Sequence, residues 1–268
     1  MRIITLLTDF GSADPFVGMM KGVILGIAPR VHVVDLCHEV SPQDVLEAAF
    51  LLHCAYRYFP TGTIHVTVID PGVGGRRKAL AAEGRHGCYV APDNGVLSYL
   101  FASGEIQRVV EISEAKYFLR PVSRTFHGRD IFAPVAAYLA RGGGIERFGS
   151  VTTRYVRLTV PVPHKRGAGV LEGAVLHVDR FGNLMTNVSA GEVGKLGSRQ
   201  GITVTIKDRT IRGLQQSYDR LQSGAVGAIL GSAGYLEVFA NQESAARLLG
   251  VGRGALVRVE ARRRSRRR

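Results

Sequence analysis

Residues 64–72 read Ile-His-Val-Thr-Val-Ile-Asp-Pro-Gly, a short apolar run that ends in a carboxylate and a turn. Comparable apolar runs stand at residues 3–7 and 31–36, separated by amphipathic stretches. Such runs are typical of strands buried on both faces, and their alternation with helices predicts a largely parallel sheet. We therefore expect an α/β domain in which Asp70 lies just beyond the carboxyl end of a strand, where such sheets bind ligands.

Two helices are predicted in this domain. The first begins at residues 41–44, Ser-Pro-Gln-Asp, with the serine as its cap and the proline at the first helical position, and runs to about Tyr58. The second begins near Asp130 and ends at the glycines 142–144. Because a proline interrupts helices elsewhere, Pro134 must fall in the first turn of the second helix.

The character of the chain changes at residues 161–169, where prolines, glycines and basic residues are typical of a linker. This places an N-terminal domain at residues 1–160 and a C-terminal domain at residues 170–261. Short runs of alternating apolar residues predict that the second domain is an all-β barrel or sandwich, with a single helix at residues 244–249. The predicted strands there are residues 173–178, 201–206, 210–214, 225–230 and 255–260.

The net charge of +13 suggests a polyanion partner until its distribution is considered. Residues 262–268 alone contain six arginines, and a terminal block of like charges is typical of a solvated tail. Nucleic-acid binding through this tail remains an alternative function, although it is not the one we expect.

Composition also bears on the compartment and on metals. No apolar run approaches the roughly 18 residues of a membrane span, and the first residues lack the form of a signal peptide, so we expect a cytoplasmic protein. The three cysteines, Cys37, Cys54 and Cys88, have neither the number nor the spacing of a disulfide framework or a zinc site. We expect no metal ligands and no cofactor.

The candidate catalytic residues are Asp70, Arg77 and His127. Each has an ordinary alternative, as a turn aspartate, a surface charge and a buried core histidine. Together, a carboxylate, a guanidinium and an imidazole can hold and polarise one water molecule, and the imidazole can accept a proton near neutral pH. Whether the three side chains meet is a question that the sequence leaves open.

Six motifs in order along the chain resemble those of the S-adenosylmethionine hydroxide adenosyltransferase family, which is related to the adenosyl fluoride and chloride transferases. The resemblance covers essentially the whole chain except the arginine-rich tail. The motifs are Thr8-Asp9-Phe10-Gly11 with Asp14 and Lys21-Gly22, residues 70–74 with Arg77, residues 91–95, residues 125–130, residues 179–183 and residues 231–237.

The resemblance implies an enzyme that hydrolyses S-adenosylmethionine to adenosine and methionine by attack of water or hydroxide on the ribose C5′. It implies that Asp70, Arg77 and His127 surround the nucleophile and that Asp9 holds the two ribose hydroxyls. The other implied substrate contacts are Asp14 and Asp179 to the methionine ammonium, Ser232 to its carboxylate, Asn183 to the adenine edge, Tyr218 stacked on adenine, and Glu237.

The resemblance further implies a homotrimer whose substrate lies between the N-terminal domain of one subunit and the C-terminal domain of the next. A halide transferase is the nearest alternative. The fluoride-transferring relatives have tyrosine at the positions of Asp70 and His127, and the carboxylate of Asp70 would repel a halide ion from the same volume. The sequence therefore favours water over halide as the nucleophile.

Overall fold

The computed structural model describes residues 2–167 and 169–261, so the predicted tail at 262–268 lies outside the described residues. The chain divides into two compact units, residues 1–160 and residues 161–268, and each has its own hydrophobic core. No helix in the described ranges is long and apolar enough to cross a membrane.

The first unit is built on a six-stranded sheet with the strand order β2-β1-β3-β5-β4-β6. Strands β1, β2, β3 and β5 are parallel, and β4 runs antiparallel to both β5 and β6, which confirms the predicted α/β class with a largely parallel sheet. The strands are β1 Ile3–Thr8, β2 His32–Cys37, β3 Thr63–Val68, β4 Ala79–Gly84, β5 Gly87–Pro92 and β6 Ile106–Glu111.

Helices cover both faces of this sheet because successive strand residues point to opposite sides. Ile4 and Val66 pack with Met20 in one core, whereas Leu7 packs with Leu52 in the other, and all five are almost completely buried. The helices are α1 Phe16–Ile27, α2 Val45–Ala55, α3 Ser98–Ala102 and α4 Ala133–Ala140. The two-sided burial explains why β1 and β3 read as continuous apolar runs, whereas β2, which the sequence also predicted to be buried, lies at the edge of the sheet and is largely exposed.

Helix α2 begins later than predicted. The cap is Asp44, whose carboxylate accepts the N–H of Glu47, and not Ser41. Gln43 cannot belong to the helix because its φ of 65° is left-handed. The predicted end at about Tyr58 is also late, since α2 stops at Ala55 and continues only as a short 3₁₀ turn.

The second predicted helix exists with an unforeseen first turn. Residues Gly128–Phe132 form a π-helical turn that leads into α4, which starts at Ala133. Pro134 falls in the first turn of α4, as the sequence required. A π turn contains one extra residue, and such turns recur at functional sites.

The second unit is a nearly closed, barrel-like sheet with the order β11-β10-β14-β8-β9-β13-β12, and its strand pairs are antiparallel. Residues His164–Lys165, within the predicted linker, form β7 and pair with β8. The remaining strands are β8 Val170–Val178, β9 Leu184–Ser189, β10 Ile202–Ile206, β11 Arg209–Arg212, β12 Val226–Leu230, β13 Tyr235–Ala240 and β14 Leu256–Ala261.

The predicted all-β class of this unit is confirmed, but four of its described strands and α-helices were not foreseen, and one of them is β7 in the predicted linker. Strands β9 and β13 were missed, and so was helix α5, Ala190–Leu196, which begins with a capping box of Ser189 and Glu192. Helix α6, Ala245–Leu249, is therefore not the single helix of this unit, as had been predicted. Ser-x-x-Glu at residues 189–192 is the sequence signal that could have revealed α5.

Candidate active site

A cavity of about 750 Å³ opens in the first unit at the carboxyl ends of β1 and β3. Asp9 follows β1 directly, and Asp70 follows β3 after one intervening residue. His127 lines the same cavity from the segment before the π turn. Three of the five site residues predicted in this unit therefore meet where a parallel sheet binds its ligands.

The turn after β3 aims Asp70 into this cavity. The amide of Asn94 donates a hydrogen bond of 2.7 Å to the carbonyl oxygen of Ile69 and so fixes the chain immediately before the carboxylate. Gly74 has a φ of 73°, and a Cβ there would lie 2.1 Å from the carbonyl oxygen of Arg124. Only glycine permits this close approach of two backbone segments.

Arg77 lies behind Asp70 and joins it to His127. Its Nε donates to Oδ1 and Oδ2 of Asp70 at 2.8 and 3.1 Å, and its Nη2 also contacts Oδ2. The same Nη2 lies 2.7 Å from Nδ1 of His127. Since the Arg77 and Asp70 side chains are only 12% and 6% exposed, this pair is held in one geometry by its surroundings.

The contact with Arg77 determines how His127 is protonated. A guanidinium can only donate hydrogen bonds, so Nδ1 of His127 must accept, and a neutral ring then carries its proton on Nε2. Burial, followed by the charge of Arg77, lowers the pKa of His127 below its ordinary value of 6.5. The neutral ring is thus favoured, and in this tautomer it offers a donor at Nε2.

A buried ion pair supports the segment that carries His127. Asp130 is fully buried and receives 2.6 and 3.0 Å hydrogen bonds from Nε and Nη2 of Arg129. The same carboxylate accepts the main-chain N–H of Ser123 at 2.7 Å. Because Ser123 and Arg129 line the cavity, Asp130 fixes two parts of its wall from beneath.

Asp9 is also fixed by the main chain around it. Its Oδ2 accepts a 2.8 Å hydrogen bond from the N–H of Gln43. The following residues are held as well, since the N–H of Gly11 donates to the carbonyl oxygen of His38 at 2.7 Å. The position of the Asp9 carboxylate therefore depends on the loop before α2.

Three phenylalanines form an apolar part of the cavity wall. Phe10, Phe16 and Phe126 contact one another edge to face, with ring centroids 5.3 to 5.9 Å apart. Such a cluster suits the apolar portion of an organic ligand. By contrast, Asp14 is exposed in the turn before α1 and does not line the cavity.

The second unit has its own cavity, of about 900 Å³, lined by Asp179, Asn183 and Tyr218 among others. One carboxylate oxygen of Asp179 accepts the main-chain N–H groups of Phe181 and Asn183 at 2.9 and 2.8 Å. The other accepts Nδ2 of Asn183 at 2.9 Å. Asp179 thus holds the β8–β9 loop in its shape. Because Nδ2 of Asn183 donates to Asp179, the amide oxygen is the part of the Asn183 side chain that can accept a hydrogen bond from a ligand.

Tyr218 and Glu237 form a pair at this second cavity. The hydroxyl of Tyr218 donates to Oε2 of Glu237 at 3.0 Å, and Tyr218 as a whole residue is 44% exposed. Burial, followed by the nearby Glu237, raises the pKa of Tyr218 to about 12, and burial raises the pKa of Glu237. Glu237 lies behind the tyrosine, and Ser232, in the β12–β13 turn, does not line the cavity.

Sequence reasoning assigned no role to Gln43, Asn94, Asp130 or the phenylalanine cluster. Asn94 and Asp130 belong to motifs that were noted, but nothing in the sequence shows which backbone groups they bind. Gln43 acts through its main chain, and no residue type signals this. Within residues 2–167 and 169–261, no three His, Cys, Asp or Glu side chains are grouped as metal ligands.

Comparison with known families gives full-length matches. The model of the SAM hydroxide adenosyltransferase N-terminal domain matches residues 4–149, and that of the corresponding C-terminal domain matches residues 173–258. A solved structure of an uncharacterised conserved protein from Thermotoga maritima superimposes with a TM-score of 0.91 at 34% identity, covering 96% of this chain and 99% of that one.

Two curated relatives mark the range of activities among similar proteins. An (R)-S-adenosyl-L-methionine hydrolase of Thermus thermophilus is 37% identical over 97% of this chain and 100% of its own length. A fluorinase of an Actinoplanes species is 30% identical over 73% of this chain and 74% of its own length. The identity to the hydrolase is higher than the identity to this fluorinase.

Proposed function

The chain belongs to the SAM hydroxide adenosyltransferase family and hydrolyses S-adenosyl-L-methionine, and we propose that it does so by attack of water on the ribose C5′. The oxygen of water bonds to C5′, and the bond from C5′ to sulfur breaks with its electron pair passing to sulfur. The products are adenosine and L-methionine, and the proton of the water leaves to Asp70 or to solvent. The cationic sulfonium is already a good leaving group, so the main task of the protein is to position one water.

The observation that carries this proposal is the Asp70 carboxylate held by Arg77 at the cavity. A carboxylate in a fixed orientation can accept a hydrogen bond from one water and direct a lone pair of that water at C5′. His127, whose Nδ1 accepts from Arg77, holds the guanidinium in place and carries its own proton on Nε2. This geometry favours a donor role for His127 over the proton-accepting role that the sequence suggested.

We propose that the rest of the substrate contacts the predicted binding residues. Asp9 accepts the two ribose hydroxyls, since a carboxylate has acceptor positions for both. Tyr218 stacks on adenine with its exposed ring, and Asn183 meets the adenine edge through its amide oxygen. Asp14, Asp179 and Ser232 remain the proposed contacts of the methionine end.

Water is favoured over halide by the chemistry of the cavity. A halide ion must lose its hydration shell and find neutral donors, whereas here the Asp70 carboxylate, with a side chain 6% exposed, faces the same volume. We therefore expect no halogenated adenosine even in excess chloride. Recovery of 5′-chloro-5′-deoxyadenosine would place this chain with the halide transferases.

We further propose a homotrimer in which each substrate contacts the first unit of one subunit and the second unit of the next. In support of this, the predicted binding residues are divided between the two units, with Asp9 in one and Asn183 and Tyr218 in the other. The molecular mass in solution, measured by light scattering after gel filtration, tests the trimer.

A cytoplasmic location and independence from cofactors complete the proposal. All three cysteines are free thiols, which suits a reducing compartment. Cell fractionation tests the location. Prolonged dialysis against a chelator should leave the turnover of S-adenosyl-L-methionine unchanged, and restoration of a lost activity by added metal would refute cofactor independence.

The decisive experiment follows the oxygen of water. The purified protein is incubated with S-adenosyl-L-methionine in ¹⁸O-labelled water. The products are then separated, and the mass of each is measured by mass spectrometry. Attack at the ribose C5′ puts one labelled oxygen into adenosine and none into methionine. Unlabelled adenosine, or methylthioadenosine as the nucleoside product, would refute the proposed step.

A further inference from the structure

The loop before α2 contains a backbone conformation that requires an explanation. Gln43 has a φ of 65°, in the left-handed region that residues with a side chain rarely adopt. In the described part of the chain, two other residues with a side chain, Lys207 and Gln242, have positive φ values. Lys207 lies in the tight turn between β10 and β11, where such values are common, but Gln43 lines the cavity of the first unit.

The left-handed conformation directs a main-chain donor at the site. The N–H of Gln43 donates to Oδ2 of Asp9 at 2.8 Å, although 34 positions separate the two residues in the chain. If the helix had been capped by Ser41 as predicted, Gln43 would lie in the first helical turn, and its N–H would point in another direction than toward Asp9. Gln43 therefore contributes to the carboxylate through its backbone, in a way that no side chain reveals.

Surrounding hydrogen bonds hold residue 43 in this conformation. The buried carboxylate of Glu47 accepts the N–H of Ser41 at 2.9 Å, and the N–H of Glu47 donates to Asp44 at 2.8 Å. The N–H of Val45 donates to the carbonyl oxygen of Gln43 at 3.1 Å. Strained residues persist where the surrounding structure over-determines them, and they cluster at functional sites.

We propose that Gln43 is a positioning residue for the substrate ribose, acting through its left-handed main chain on Asp9. This inference rests on the proposed function, in which Asp9 accepts both ribose hydroxyls. Since one carboxylate oxygen is held by the Gln43 N–H, the plane of the carboxylate is set before the substrate arrives. The protein thereby selects a ligand with an intact ribose cis-diol.

The test compares residues that differ in their tolerance of positive φ. The variants Gln43→Gly, Gln43→Asn, Gln43→Ala and Gln43→Val are measured by calorimetry for binding of adenosine and 2′-deoxyadenosine, and by kinetics with S-adenosyl-L-methionine. We expect Gly and Asn to weaken adenosine binding by less than about threefold and Val by about tenfold, with Ala between them. The preference for adenosine over 2′-deoxyadenosine should fall in the same order.

A side-chain role for Gln43 predicts a different order, with Gly at least as harmful as Ala and Val, and that result would overturn the proposal. So would a folded Gln43→Val protein whose preference for the 2′-hydroxyl matches that of the wild type. If the Gln43→Val variant does not fold, the order of adenosine affinities among the Gln43→Gly, Gln43→Asn and Gln43→Ala variants still tests the proposal. Lys207→Val is the matched control, because it places the same side chain at positive φ outside the site and should lower thermal stability without changing the preference.

The wild-type protein separates this inference from the proposed function. If the wild type releases no adenosine from S-adenosyl-L-methionine, the proposed function fails whatever the variants do. If the wild type does release adenosine and the variants lack the predicted order, only the role of Gln43 fails.

Discussion

At the scale of single residues, Arg77 organises the site. Its guanidinium contacts both oxygens of Asp70 and also Nδ1 of His127, so one cation determines the orientation of a carboxylate and the tautomer of an imidazole. The burial of Arg77 and Asp70 keeps the two side chains in contact, because replacing either partner by water would cost free energy. Two predictions follow from this contact.

Replacing Asp70 by Asn should remove most of the catalysis and little of the binding. Asparagine keeps the shape of the side chain, but it has a single acceptor oxygen and no charge with which to orient the water. We expect kcat to fall by about 100- to 1,000-fold while the affinity for S-adenosyl-L-methionine changes little. Asp208→Asn, at an exposed turn of the second unit, is the control, and an Asp70→Asn enzyme with wild-type kcat would exclude Asp70 from the mechanism.

The second prediction concerns pH. Burial and the charge of Arg77 lower the pKa of His127, so the neutral ring that accepts from Arg77 persists as the pH falls through 6.5. Below the lowered pKa, protonation turns Nδ1 into a donor that opposes the guanidinium. We expect kcat/KM to hold constant down to a pH below 6.5 and then to decline.

The variant His127→Asn provides the comparison, because an amide oxygen can accept from Arg77 and does not titrate. Its residual activity should lack the decline of the wild type at acid pH. A wild-type decline already at pH 6.5 or above, or an unaltered decline in the variant, would contradict the assignment to His127.

At the scale of elements, the segment around the π turn shows how a secondary-structure irregularity serves the site. The extra residue of the turn at Gly128–Phe132 allows His127 to precede a helix whose second residue is proline. Buried Asp130, within the turn, ties this segment to Ser123 and Arg129. The irregular turn is therefore held by an ion pair beneath it.

Replacing Asp130 by Asn should destabilise this element. The neutral side chain loses the paired hydrogen bonds to Arg129, whose side chain is 31% exposed and so can partly recover them from water. We expect a loss of about 1–3 kcal/mol in the free energy of unfolding, measured with urea. The control is Glu260→Gln in the exposed Arg258–Glu260 pair, which should lose less than about 1 kcal/mol. Equal losses would mean that burial does not strengthen the Asp130 pair.

At the scale of the whole molecule, the two units contribute different chemistry. The first holds the carboxylate, guanidinium and imidazole around one cavity, and the second holds an exposed tyrosine ring and the Asp179–Asn183 loop around another. In the proposed function the first set performs the reaction and the second recognises adenine, so neither set alone provides for both. A division of this kind is expected where neighbouring copies of a chain complete each other's sites.

Mixing two inactive variants tests the proposed assembly. Asp70→Asn damages the first unit and Tyr218→Ala the second, so each variant alone should be impaired. After denaturation and joint refolding, some trimers combine an intact first unit with an intact second unit from the next subunit. Random mixing in a cyclic trimer should restore about a quarter of the wild-type activity. No recovery, although mass spectrometry detects mixed trimers, would refute a site shared between subunits.

The sequence by itself predicted the fold class of both units and three of the six strands of the first, β1, β2 and β3, whereas β4, β5 and β6 were not predicted. Apolar runs such as residues 64–69 are decisive because burial on both faces of a sheet removes the regular alternation of apolar and exposed polar residues, and even the two polar side chains of this run, His65 and Thr67, are buried. The sequence also singled out Asp9, Asp70 and His127, since polar residues directly after buried strands and in glycine-rich turns point to the ligand end of a sheet. The family motifs supplied the chemistry that these residues are expected to perform.

Only the tertiary structure decided how those side chains are oriented. Arg77 donates to Asp70 and His127 because the glycine-rich turn folds back, and Gln43 binds Asp9 because its main chain is left-handed. Such contacts join residues far apart in the chain and often involve backbone groups that every residue type shares. Local residue preferences do not encode these contacts, so the start of α2 and the contact of Arg77 with Nδ1 of His127 could be read only from the folded structure.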